Sequence, residues 1–341
     1  MKKTYLLLVI ISIGFFFSCS KKEEKQNGEI AKSNLESIDL KGEKVFLRYK
    51  FEKGDKFKYK LTTITSSQES VQADSLMQAK STQTTTYIFD LEVIDVDADK
   101  IAELGITISS LKLDADINGQ KISFDSNKKL TEEEKQKFGD YLTIHNTPYR
   151  ARVSELGEVI EVFRLDKMID KLNSLQPQKQ NLTAEQKSQY AKSLGDALIR
   201  PITQLIFREL PQKSLAKDST WMKSYPGQLS VFQINNTITY KVEDFVKVKD
   251  DRAAKLSANL SCTWTGNKKG EDNGIKYNFS DPKISGTGNI LFNIDKGLLI
   301  RAETGTSVEL IANLELKDAT QKVRKTTRKD ITTNKNIIEL M

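Results

Sequence analysis

Apolar residues at every second position are the feature that most restricts how this chain can fold. Leu47, Tyr49 and Phe51 alternate with charged residues, and Phe57, Tyr59, Leu61 and Thr63 do the same on the far side of Glu52-Lys53-Gly54-Asp55. Successive side chains of a strand point to opposite faces, so a period of two buries one face of a sheet and wets the other. The pattern predicts a hairpin opening the body. It recurs at Tyr87, Phe89, Leu91 and Val93, at Ala102, Leu104, Ile106 and Ile108, and through Leu111, Leu113 and Ala115 to Asn118-Gly119. Asn-Gly is the favoured two-residue hairpin turn, and Ile122 and Phe124 follow it. Residues 66–82 are Ser- and Gln-rich without this period and are expected to form a mobile loop. The fold class is mainly β, with antiparallel curved sheets.

Helical spacing is confined to the middle. Thr131-Glu132-Glu133-Glu134 is a capping box opening a short helix to about Tyr141. Leu165, Met168, Ile169 and Leu172 sit at helical intervals. Thr183 caps a third helix, whose apolar face is Tyr190, Leu194, Ala197, Leu198, Leu205 and Ile206, with Pro201 expected to kink it. This defines a helical insertion at about 164–210 within a single β-rich body at 44–341. Strands resume after Pro211.

The flanking pseudo-halves, 44–163 and 214–341, repeat four landmarks in the same order. These are an acid before an aromatic (Asp55/Phe57, Asp218/Trp221) and an aromatic strand entering a charged turn (Tyr87–Asp99, Tyr240–Asp251). A turn glycine with Phe five residues on follows (Gly119/Phe124, Gly274/Phe279), then a glycine hairpin (Gly157, Gly297). They predict two pseudo-repeated lobes.

Composition excludes several functions. Net charge is +7, from 53 basic and 46 acidic residues, and is spread along the chain apart from a basic cluster at Lys317–Lys335. Aromatics do not interleave with a basic stripe, so nucleic acid is not an expected partner. The one histidine, His145, rules out a His-pair metal site, and its Ile144-His145-Asn146-Thr147-Pro148 setting is that of a loop.

The N-terminus sets location. Lys2 and Lys3 precede an apolar run from Tyr5 to Phe17 that ends in Ser18-Cys19. A run of about 13 residues is shorter than the roughly 20 a spanning helix needs. The layout resembles the signal peptide and lipobox of bacterial lipoproteins, with Phe16 where leucine is usual. The resemblance implies a signal peptide at 1–18, acylation of Cys19 and a flexible tether over 19–43. It also implies attachment to the outer membrane, on a side the sequence leaves open. Acylation of Cys19 leaves Cys262 without an intramolecular disulfide partner. Cys262 is expected as a small buried hydrophobe. Ser20-Lys21-Lys22-Glu23-Glu24 resembles the export tag of Bacteroidota-type surface lipoproteins. The body resembles an uncharacterised envelope lipoprotein family through Leu47, Phe51, Lys53-Gly54-Asp55, Phe57 and Tyr59. Glu155-Leu156-Gly157-Glu158-Val159 and Asp218-Ser219-Thr220-Trp221 add to the likeness, which implies no known activity.

No residue pattern assigns chemistry. Asp95, Asp97, Asp99 and Glu103 match a calcium loop at positions 1, 3, 5 and 9, but Lys100 and Ile106 replace its glycine and bidentate glutamate. A solvated turn is expected there. Gly286-Thr287-Gly288 lacks the third glycine of a nucleotide loop, and no nucleophile elbow occurs. Trp221 and Trp264 are expected in the core rather than as sugar platforms. Asp74-Ser75-Leu76 and Asp218-Ser219-Thr220 resemble short bacterial O-glycosylation signals. The chain is therefore expected to be no enzyme, with no catalytic residue, cofactor or metal. It is expected to be anchored to the membrane by lipid and to bind a protein, a glycan or an apolar ligand. Two alternatives stay open. A periplasmic carrier of an apolar ligand would need a Leu/Ile/Phe-lined cavity. A carboxylate-dependent hydrolase would need two acids converging in a pocket.

Overall fold

The structure is a computed structural model that describes residues 35–176, 181–272, 274–317 and 322–341. The signal peptide, Cys19 and the first part of the tether lie outside them. In chain order the strands are β1 (Lys56–Gln72), β2 (Leu76–Val96), β3 (Ala102–Ile117), β4 (Gln120–Asp125), β5 (Tyr149–Val153), β6 (Val159–Phe163) and β7 (Thr220–Leu229). They continue with β8 (Phe232–Val248), β9 (Asp251–Thr265), β10 (Lys269–Asp272), β11 (Ile275–Phe279), β12 (Lys283–Asn293), β13 (Leu298–Lys317) and β14 (Val323–Leu340). They form one sheet, ordered β6-β5-β3-β2-β1-β14-β13-β12-β9-β8-β7, with β4 on β3 and the β10–β11 hairpin on β13. Each pairing is antiparallel.

The two halves run through the sheet in the same direction rather than forming separate lobes. Their joining details coincide. Val93 bonds Gly54 N and Asp55 O, and Val242 bonds Asp218 N and Ser219 O in the same way. Gly54 and Asp218 both have positive φ, 93° and 63°. Register shifts fall at Val93/Asp95 and Val242/Asp244, and again at Arg152/Val153 and Leu291/Phe292. Gly157 and Gly297 turn the matching β5–β6 and β12–β13 hairpins. Two corrections follow. Phe57 corresponds to Trp221, but Asp55 corresponds to Ser219. The Gly119 and Gly274 turns do not correspond, since β4 pairs with β3 whereas β11 pairs with β13.

The expected loop at 66–82 is instead the far end of the β1–β2 hairpin, which turns at 73–75. Polar residues remain in strand because β1 is hydrogen-bonded on both sides, to β2 and β14. Cross-strand pairs add to this: Thr65 Oγ1 donates to Asn334 Oδ1 at 2.8 Å, and Ser66 and Thr82 hydroxyls lie 3.0 Å apart. The basic cluster falls largely on β14 and is answered by neighbouring acids: Lys325–Glu315 at 3.0 Å, Lys329–Glu309 at 2.7 Å and Lys335–Glu303 at 2.6 Å.

Residues 45–51 alternate in burial as expected, with Leu47 and Tyr49 buried, but they do not pair with β1. An extended segment shares the period of a strand, and this one crosses the base of the sheet. Val45 bridges Leu215, Tyr49 N–H donates to Glu155 O at 2.8 Å, and Lys50 N–H to Gly297 O at 3.2 Å. Part of the tether is also docked: Ser37 bridges Val246, and Ile38 N–H donates to Phe245 O at 2.9 Å.

The helices pack on one face. α1 (Glu132–Lys137) has the expected capping box on Thr131, and α2 (Gly139–Ile144) follows it. α3 (Asp166–Leu175) buries Met168 and Ile169. α4 (Ala184–Leu194) is capped by Thr183 and Gln186 and forms an outer layer that buries none of its residues fully; Leu194 of the expected apolar face packs on the core, as do Leu198 and Leu205 beyond it, whereas Tyr190 is 49 % exposed. A π turn at Gly195–Ile199 leads without a break in helical backbone into α5 (Arg200–Ile206), so Pro201 falls directly after the turn, where the hydrogen-bond ladder is already irregular. Ile199, Ile202, Ile206 and Phe207 join Tyr59, Leu61, Phe89 and Ile338 of the sheet in one buried apolar core.

Candidate cavity beneath Arg208

α5 ends at Phe207, and residues 207–215 cross the base of the sheet beside residues 45–51. Gly157 makes the crossing possible. Its φ is +82°, and a Cβ there would lie 2.4 Å from Arg208 O and 2.5 Å from the Tyr49 ring. Arg208 N–H donates to Tyr49 Oη at 2.8 Å, and Leu210 N–H to Leu156 O at 2.8 Å, which fixes the backbone around Arg208.

The Arg208 side chain is 7 % exposed, and its Nε and Nη2 have no hydrogen-bond partner among the described residues. Burial lowers its pKa, while the neighbouring Tyr240, Tyr49 and Tyr225 phenols act in the opposite direction. The adjacent carboxylate is already committed: Glu209 accepts from Tyr225 Oη at 3.0 Å and pairs with Lys223 at 3.1 Å. Arg208 lines a cavity of about 50 Å³ with Phe207, Asn236, Ile238, Tyr240 and Leu260, and with Gln204, Glu209 and Tyr225. Asn236 adds a buried Oδ1 without a partner. Trp221 stacks on Tyr240 at 5.0 Å and 12°, closing that side.

A second, more open groove of about 360 Å³ runs between β6 and the helices, with Glu161, Asp166, Asp196, Arg164, Lys192 and Arg200 on its walls. Asp196 is held by Lys192 at 2.6 Å and Arg200 at 3.4 Å. These pairs make it a solvated charged groove.

The residues singled out from sequence are scattered. Asp97 is a turn carboxylate, accepting from Asp99 N at 3.0 Å and Ile101 N at 2.9 Å, and Asp95 pairs with Lys53. Cys262 is half-buried on β9 rather than fully buried, and burial raises its pKa, which disfavours the thiolate. Trp221 is in the core. Trp264 is only half-buried, edge-on to Phe232 at 5.1 Å. Ser75 is exposed at the β1–β2 turn, whereas Ser219 Oγ accepts from Ala216 N at 2.9 Å. Cys19 lies outside the described residues. Each carboxylate that departs from its ordinary pKa is held below it, and none is raised toward a general acid, among the described residues.

His145 caps α2, its Nε2 is buried without a partner, and its carbonyl accepts from Lys171 Nζ at 2.6 Å. Burial lowers the ring's pKa below the ordinary 6.5, outweighing a bond to the Ser109 backbone. Because the unfolded chain then binds the proton more tightly, this ring's contribution to stability is present above about pH 6.5 and lost as pH falls through the folded value. Unfolding measured in urea between pH 7 and pH 5 should therefore show a shallower loss of stability in His145→Gln than in the natural chain. Equal slopes would remove His145 from the acid response.

Sequence reasoning missed Arg208. The signal available was a charged pair, Arg208-Glu209, set between Phe207 and Leu210-Pro211 at the end of an apolar helix face.

A family model described as a "Family of unknown function (DUF6263)" matches residues 99–299, more than half of the chain. The chain belongs to that family. No curated protein matches it. Among solved structures it is similar to lipovitellin, described for its lipid–protein interactions, at 10 % identity and a TM-score of 0.41, over 86 % of this chain and 25 % of that one. The chain thus spans about a quarter of lipovitellin. It is also similar to OccAB4 of Acinetobacter baumannii (9 % identity, TM-score 0.17, 82 % of this chain and 98 % of that). An outer membrane channel of Pseudomonas putida F1 gives 10 % identity and a TM-score of 0.17, over 86 % of this chain and 97 % of that one. These values carry no reading of activity.

Proposed function

We propose that this chain is a lipid-anchored protein of the bacterial cell envelope that binds a small ligand without transforming it, in the cavity beneath Arg208. The cavity carries the binding part of this reading: apolar walls from Phe207, Ile238 and Leu260 surround a few polar groups, the usual make-up of a ligand site. Its lining contributes no Ser, Cys, Lys or His nucleophile, and its carboxylate, Glu209, is held by Lys223 and Tyr225. The filled interior beneath α5 argues against a preformed carrier cavity in that region, and the low carboxylate pKa values argue against a glycosidase-type acid.

The anchor part rests on Lys2-Lys3, the apolar run and Ser18-Cys19. Intact-mass analysis of the membrane-extracted protein should show residues 1–18 removed and acyl chains on Cys19, and Cys19→Ser should abolish the acyl mass and membrane retention. An unmodified Cys19 would overturn the anchor. Protease shaving of whole cells then assigns the side: a digested body faces outward, a protected one faces the periplasm.

A further inference from the structure

We infer that the Arg208 cavity takes the oxyanion group, carboxylate or phosphate, of a small ligand whose apolar part lies along Phe207, Ile238 and Leu260. This deepens the binding reading above and rests on it. The argument is geometric. Nε–H and Nη2–H form the side-on edge of a guanidinium, the edge that grips an oxyanion with two parallel hydrogen bonds. Elsewhere in the molecule the same edge meets a carboxylate: Arg252 Nε and Nη2 both donate to Asp295 Oδ1, at 3.0 and 2.8 Å. In Arg208 both atoms are buried without a partner among the described residues, in a residue only 7 % exposed.

A buried charge is normally paired, because an unpaired one is costly to desolvate. Glu209, the carboxylate on the cavity's lining, does not supply the pair: one of its oxygens accepts from Tyr225 and the other pairs with Lys223. The backbone around Arg208 is pinned by Tyr49 and Leu156, which fixes where the side chain enters the cavity. The cavity of about 50 Å³ has room for a small head group and the first carbons attached to it, against Phe207 and Ile238, and a longer chain has to leave it. Glu209, Tyr225 and Leu260 are only half-buried, so the rest of a ligand has an exit there.

The test uses the full chain held in amphipol, with acetate, inorganic phosphate, butyrate and neutral butanol as water-soluble probes. Titration is followed by the Arg208 side-chain Nε–H resonance and by calorimetry. Butyrate should move the Nε–H resonance and bind more tightly than acetate, and Arg208→Met should weaken it by about tenfold or more. Ligand-free Arg208→Met should unfold no lower than the natural chain, because it removes an unpaired charge. Phosphate or acetate binding as tightly as butyrate would uphold the oxyanion but overturn the apolar part of the ligand, leaving a free ion. Butanol and butyrate binding equally to the natural chain and to Arg208→Met would leave a ligand cavity but overturn the oxyanion. No response to any probe would overturn both. Should Arg208→Met fail to fold, Arg208→Lys, which keeps the charge and loses the fork, decides by the same titration: undiminished affinity overturns the proposal.

Discussion

Gly157→Ala should cost about 2–5 kcal/mol of folding stability and abolish ligand binding. The expectation combines two terms. At φ +82° an L-residue pays on the order of 1–2 kcal/mol for its backbone conformation. The added Cβ would also meet Arg208 O at 2.4 Å and the Tyr49 ring at 2.5 Å, and overpacking of this kind costs roughly 1–3 kcal/mol. Neither neighbour can yield cheaply. Arg208 O is backbone, and Tyr49 is fixed by Arg208 N–H and by rings of Phe207 and Phe292 at 5.5 and 5.2 Å. The control is Gly119→Ala, in the β3–β4 turn at φ +88° with nothing within 4 Å of its Cβ, which should lose only the conformational term. Chemical unfolding of the two variants separates the terms. Equal losses would show that the crossing segment does not press on the β5–β6 hairpin.

The fold was largely legible because period two survives in each long strand that has one buried face. Val93, Leu104 and Val242 read as inward and are buried. The signal failed where burial and strand pairing part company. Residues 45–51 alternate yet are not in the sheet, because an extended segment crossing a core buries every second side chain as a strand does. Residues 66–72 and 76–82 are in the sheet yet do not alternate, because the far end of the hairpin is wet on both faces while β1 there is held by ladders on both sides. Tyr190 illustrates a third failure: a helical period can be satisfied by a neighbouring layer or by water as well as by the core. The site was not legible for a different reason. Nothing in Phe207-Arg208-Glu209 states which of the two charges is paired. That depends on Lys223 and Tyr225, brought to Glu209 by β7, and on Gly157 from the opposite half. What distinguishes Arg208 is a missing partner, a property of three-dimensional neighbours that local spacing does not encode.

Phe207→Ala should be the most damaging truncation in the helical layer, at about 3–5 kcal/mol, the range for removing a buried aromatic ring. Phe207 is 2 % exposed and meets Tyr49 and Phe51 edge-on, at 77° and 83°. It also terminates α5, its N–H donating to Gln204 O, while Gln204 Oε1 accepts from Val159 N at 2.9 Å. The ring is thus where α5, the base-crossing segment and the β5–β6 hairpin meet. Loss of the ring should speed amide exchange across α5 and residues 207–211 well beyond that in β12 and β13. It should also weaken butyrate binding through the missing cavity wall while the Arg208 guanidinium is retained. Tyr190→Ala, on the exposed side of α4, removes an aromatic ring of nearly the same size and should change stability by less than about 0.5 kcal/mol. The pair therefore tests layering directly. If both truncations cost the same, α4 and α5 contribute as one unit to the core and the outer-layer assignment of α4 fails. If Phe207→Ala alone is costly, the sheet's helix-facing side is sealed by α5, and the cavity beneath Arg208 is part of that seal.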